Sequence, residues 1–159
     1  MVLFKIILVI SLFYILLQDI KERKVYWFLF PIVMIVTGVL FYNNTLPELF
    51  LVNAMMNSMF IALLFFVMYI YSRFKLKTSL NQVFGLGDAL LFIGLIGSFS
   101  FVSFVVVFVF SLVFSLVLHI LVKAHQKEKT IPLAGYMSLF FLLTYISFWT
   151  GVTTKLYSI

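Results

Sequence analysis

The sequence predicts an all-α fold: a polytopic membrane helix bundle of about six transmembrane helices with both termini outside. Three observations carry that reading. Of 159 residues, 65% are hydrophobic and only 10% charged, with a mean hydropathy of +1.23; a soluble globule is nearer half apolar and a quarter charged. The apolar residues fall in runs close to the roughly 20 residues a bilayer requires. The basic residues are concentrated in alternate loops. The length fits one domain, residues 1–159, with no internal repeat or linker.

The elements follow in order. Val2–Gln18 carries Lys5 and then an apolar run, but no small-x-small cleavage pattern follows it. Leu16-Leu17-Gln18-Asp19 leads instead into a charged loop, so the segment is expected to be a retained membrane helix and not a cleaved signal. Val25–Tyr42 and Leu49–Tyr71 are the second and third spans. The run from Val83 to Val122 is too long for one span and only just long enough for two. Gly94, Gly97, Ser98, Ser100 and Ser103 mark the expected break, giving a short fourth span, Asp88–Gly97, and a fifth, Phe104–Val122. Ile131–Thr150 is the sixth. Tyr14, Trp27, Tyr42, Tyr69, Tyr71 and Trp149 lie near span ends, as interfacial aromatics do. Asn53, Asn57 and Ser58 fall inside the third span and are expected to hydrogen-bond between helices. The 21 phenylalanines are read as packing and lipid-facing residues.

Nine of the eleven Lys and Arg residues lie in three loops: Lys21, Arg23 and Lys24; Arg73, Lys75 and Lys77; Lys123, Lys127 and Lys129. Asn43–Glu48 and the turn between the fourth and fifth spans have none. The positive-inside rule then places loops one, three and five in the cytoplasm. It also explains the net charge of +6 as topology, with the lipid bilayer and no nucleic acid as partner. There is no cysteine and there are only two histidines, His119 and His125, which excludes thiolate chemistry and disfavours a histidine metal site. No cofactor and no metal are expected; calcium or magnesium would want six or more oxygens, and the acids are too few.

Two acids stand out. Asp19 ends the first apolar run, and Asp88 opens the fourth inside Gly85-Leu86-Gly87-Asp88. Two spans separate them, so both face the cytoplasmic side. Desolvation and a neighbouring carboxylate raise the pKa of such an acid, and a pair then holds one proton between them. That state suits peptide hydrolysis: the ionised carboxylate takes a proton from water, and the protonated one polarises the carbonyl and protonates the leaving amine. Gly85 and Gly87 are expected to support the second acid by conformational freedom and close backbone approach, offering backbone to an unwound substrate. The plainer readings are an N-cap for Asp88 and a loop charge balancing Lys21, Arg23 and Lys24 for Asp19.

These residues resemble the type IV prepilin peptidase and preflagellin peptidase family, membrane aspartyl proteases of the Gly-x-Gly-Asp type. Asp19-Ile20-Lys21-Glu22-Arg23-Lys24-Val25 is similar to the family's first motif, an aspartate where helix one meets a basic loop. Gly85-Leu86-Gly87-Asp88-Ala89-Leu90-Leu91 is similar to the second, except that Leu90 stands where the family has lysine. Ile131-Pro132-Leu133-Ala134-Gly135-Tyr136 looks like the proline-containing entry to the last helix, and Tyr26-Trp27 replaces a Pro-Asn turn. The resemblance implies one integral membrane peptidase domain over residues 1–159, in the minimal form without a cysteine-bearing zinc region. It implies a prokaryotic inner (cytoplasmic) membrane and a catalytic pair, Asp19 and Asp88. The implied substrate is a prepilin-like protein whose basic leader is cut after glycine and before a hydrophobic helix. Glu22 and Glu128 are candidate contacts for that leader. The rival expectations are a catalytically inactive homologue serving in membrane assembly, which Leu90 favours, and a proton-coupled transporter, against which no polar chain crosses the bilayer.

Overall fold

The computed structural model describes residues 1–76, 85–122, 131–153 and 156–157. Lys77, Lys123, His125, Lys127, Glu128, Lys129 and Lys155 lie outside the described residues. Among the described residues there are six α-helices and no strand. They are α1 (Val2–Glu22), α2 (Leu29–Tyr42), α3 (Pro47–Tyr71), α4 (Leu86–Gly94), α5 (Phe101–Val122) and α6 (Leu133–Trp149). A π-helical turn over Ser72–Leu76 prolongs α3. Among the described residues three helices, α1, α3 with its extension, and α5, are long and apolar enough to cross a membrane.

The ends differ from the sequence expectation in instructive ways. Helix α1 runs on past Gln18 to Glu22, so Asp19 belongs to its last turn and not to a loop. It stops at Arg23, whose φ of 54° is left-handed and reverses the chain. Helix α2 begins at Leu29, four residues beyond the expected start, because residues 24–28 turn back on α1: the Tyr26 N–H donates to Gln18 Oε1 at 3.1 Å. Helix α4 spans nine residues, about 13 Å at the usual rise, too short to cross a bilayer.

The break after α4 falls where the small residues lie. Between α4 and α5 the backbone is irregular over 95–100, and α3 satisfies it. Asn57 Nδ2 donates to the carbonyls of Ile96 and Phe99, at 2.8 and 3.0 Å, and Asn53 Oδ1 accepts from the Phe101 N–H at 2.7 Å. Irregular backbone at membrane depth needs such partners, because no water is there to replace them. Gly94 and Gly97 let α4 and its exit turn lie against α2: a Cβ would stand 3.1 Å from the Phe30 carbonyl oxygen and 3.2 Å from Gly38 Cα, respectively.

Helices α1 and α6 make the most extensive contact, and α5 packs on the other side of α6. They are antiparallel: Lys5 near the start of α1 lies over the Trp149 ring at the end of α6, 5.1 Å from its centroid. The far end of α1 therefore meets the beginning of α6. Interior phenylalanines fill the bundle, Phe92 edge-on to Phe108 at 4.7 Å and Phe99 against Tyr145 at 4.9 Å. Others, such as Phe66, Phe74 and Phe110, point outward.

Candidate functional site

Asp19 and Asp88 meet at the N-terminus of α6. The first turn of any helix presents N–H groups with no partner inside the helix. Here Pro132 precedes the helix as its N-cap residue and has no side-chain oxygen with which to cap it. The caps come from elsewhere in the chain. The Ala134 N–H donates to Asp88 Oδ1 at 2.7 Å, and the Gly135 N–H donates to Asp19 Oδ2 at 2.6 Å. Both bonds are short, as charge-assisted ones are, and carboxylates at a helix N-terminus are favoured by the helix dipole.

The two acids reach this point differently. Asp19 leaves the last turn of α1 and is only 8% exposed. Arg23, one turn on, supplies the cation whose field acts on it. Asp88 is the third residue of α4, and its carboxylate also folds back to accept from the Gly85 N–H. That backward bond is half of a capping box, so the plain capping role for Asp88 is real. It is not the whole role, because the other oxygen caps a different helix. Burial first, and the nearby Asp19 charge second, push the Asp88 carboxyl up to about 6, against the opposing pull of the Ala134 and Gly85 N–H groups.

The glycines of the motif divide. Gly85 has φ −67° and ψ 138°, open to any residue, so conformational freedom is not its reason. Its reason is space: a Cβ there would stand 2.8 Å from Asp88 Oδ2. At Gly87 a Cβ would meet only Phe30 Cζ at 3.8 Å, an ordinary contact. Glu22 is exposed on the last turn of α1, three residues beyond Asp19. Glu128 lies outside the described residues. Leu90 is half-buried and packs against the apolar core. His119 stands on the last turn of α5 with Nδ1 buried. Among the described residues no group of three or more His, Asp or Glu is placed to hold a metal ion.

Sequence reasoning missed the platform itself. The Ala134 and Gly135 amides carry no side-chain signature. The available signal was Pro132 at a helix start, where proline is common, followed by a glycine three residues on inside an otherwise large-residue helix.

Compared with protein-family models, with curated proteins and with solved structures, the chain has no match. The described residues define a helical protein, three of whose described helices are long and apolar enough to cross a membrane. Its distinguishing feature is a pair of carboxylates seated on adjacent amides of one helix terminus.

Proposed function

We propose that this chain is an intramembrane-type aspartyl endopeptidase with Asp19 and Asp88 as its acid pair. One observation carries the reading: residues 69 positions apart in the chain deliver their carboxylates to neighbouring amides of a third helix. A solvated loop charge has no need of such an arrangement, and an ordinary cap needs only one acid. The pair holds one proton between its members, with Asp88 near 6 able to take it up. The ionised carboxylate then activates water, and the protonated one polarises the scissile carbonyl and donates to the leaving amine.

The substrate class is a prepilin-like protein with a basic leader, a glycine and a hydrophobic helix, cut at the cytoplasmic face of a prokaryotic inner membrane. The resemblance of the two aspartate motifs supports that class, and the alternation of basic loops supports loops one, three and five in the cytoplasm with both termini outside. Exposed Glu22, one turn beyond Asp19, is suited by charge to a basic leader. A second reading, an inactive homologue acting in membrane assembly, is favoured by Leu90, which packs against the core at the position where the resembling motif has lysine.

The deciding experiment replaces Asp19→Asn and Asp88→Asn separately and co-expresses a prepilin-like substrate. Each variant is expected to slow leader removal at least about 100-fold, the lower end of what acid–base groups contribute. Normal processing by either variant refutes the pair; failure of the unaltered chain to process any leader favours the inactive homologue.

A further inference from the structure

We propose that Gly135 is a positioning residue of the acid pair, fixing where Asp19 stands relative to Asp88 by permitting α1 to close on the first turn of α6. The proposal rests on the peptidase reading for its catalytic meaning, but its geometry stands without it. Gly135 donates its N–H to Asp19 Oδ2 at 2.6 Å. A Cβ on Gly135 would stand 3.1 Å from Asp19 Cβ, 3.2 Å from the same Oδ2 and 3.4 Å from the Leu16 carbonyl oxygen. Contacts at those first two distances force a neighbour to give way. The neighbour here is the root of a short side chain backed by the α1 main chain, so relief requires moving α1 away from α6. Asp88 would not follow, because its own bond runs to Ala134 and its backward bond to Gly85. A side chain at Gly135 therefore presses on Asp19 and changes the separation of the two acids while leaving both carboxyl groups in the chain. Among the described residues, the charges that act on Asp19 are Arg23 from its own helix and Asp88 from α4.

The test compares Gly135→Ala with Gly38→Ala in the full chain reconstituted in lipid nanodiscs. Gly38 is the matched control, since a Cβ there meets nothing within 4 Å. Infrared spectroscopy of the carboxyl bands is tractable because the chain has five Asp and Glu residues in all, and Asp19→Asn assigns the Asp19 band. In Gly135→Ala the Asp19 carboxylate band is expected to shift in frequency, as a carboxylate's does when a charge-assisted donor is lengthened. Gly38→Ala leaves it in place. With a basic-leader peptide as substrate, kcat falls at least about tenfold and KM is unchanged, the signature of an interaction used in the transition state. An unmoved band overturns the role of Gly135 whatever the cleavage result. A moved band in a chain that cleaves nothing upholds the placement of Asp19 and overturns the peptidase reading instead. Should Gly135→Ala not fold, amide exchange decides the matter. The Gly135 N–H is expected to exchange about tenfold or more faster in Asp19→Ala than in the unaltered chain; equal rates overturn the proposal.

Discussion

Asp88→Asn is expected to stabilise the folded chain at pH 7.5 and to destabilise it slightly at pH 4. The carboxyl titrates at 3.8 in an unperturbed chain and at about 6 in the fold. The folded state therefore binds the proton more tightly than the unfolded one. The favourable contribution is complete below about pH 4 and is lost as pH rises through 6. At 1.36 kcal/mol per pH unit, the displacement corresponds to about 3 kcal/mol of penalty for the ionised, partly buried carboxylate above pH 6. Asparagine keeps an oxygen for the Ala134 N–H but turns an NH2 toward the Gly85 N–H, which forfeits that bond at a cost of about 1 kcal/mol. The net expectation is a gain of about 2 kcal/mol at pH 7.5 and a loss of about 1 kcal/mol at pH 4. Equilibrium unfolding in mixed micelles, run on both proteins at both pH values, measures it. A pH-independent effect of Asp88→Asn would show that the carboxylate is not desolvated at the end of α6, and the reasoning would fall.

Two further expectations follow from local geometry. Gly85→Ala places a methyl group 2.8 Å from Asp88 Oδ2; turning the carboxylate off Ala134 is expected to cut leader cleavage at least about tenfold, while the unfolding free energy falls by only about 1–2 kcal/mol, the loss of the one bond to Ala134. A comparison of kcat and unfolding on the same preparation separates these effects, and full activity would show that the Asp88 rotamer is not critical. Asn57→Ala removes both donors from the Ile96 and Phe99 carbonyls and is expected to destabilise by about 2–3 kcal/mol, two buried acceptors being left unmet. Unfolding of Asn57→Ala within about 0.5 kcal/mol of the parent would mean that other groups serve the break.

Much of the architecture was readable in order along the chain. The helical, apolar character of each segment follows from composition and run length, and the break between α4 and α5 was legible in Gly94, Gly97 and Ser98. Asn53 and Asn57 announced themselves as polar residues inside an apolar helix, and they serve that break. Helix ends were less legible. Arg23 ends α1 in a left-handed conformation that glycine usually takes, so no glycine marked the stop. Residues 24–28 are held off the helix by a bond to Gln18 that spacing does not reveal.

The sequence by itself determined that two acids stand at the ends of apolar helices, one of them behind a glycine. Their cost in an apolar setting makes them conspicuous wherever the chain folds. Only the tertiary structure decided what they are seated on. The partners of Asp19 and Asp88 are main-chain amides of Ala134 and Gly135, and every residue but proline carries an amide, so no side-chain pattern encodes the choice. The same holds for the reasons behind the glycines. Gly85 and Gly135 matter for the atoms that a Cβ would strike, and those atoms belong to the acids themselves, brought there by the packing of α1 and α4 against the first turn of α6.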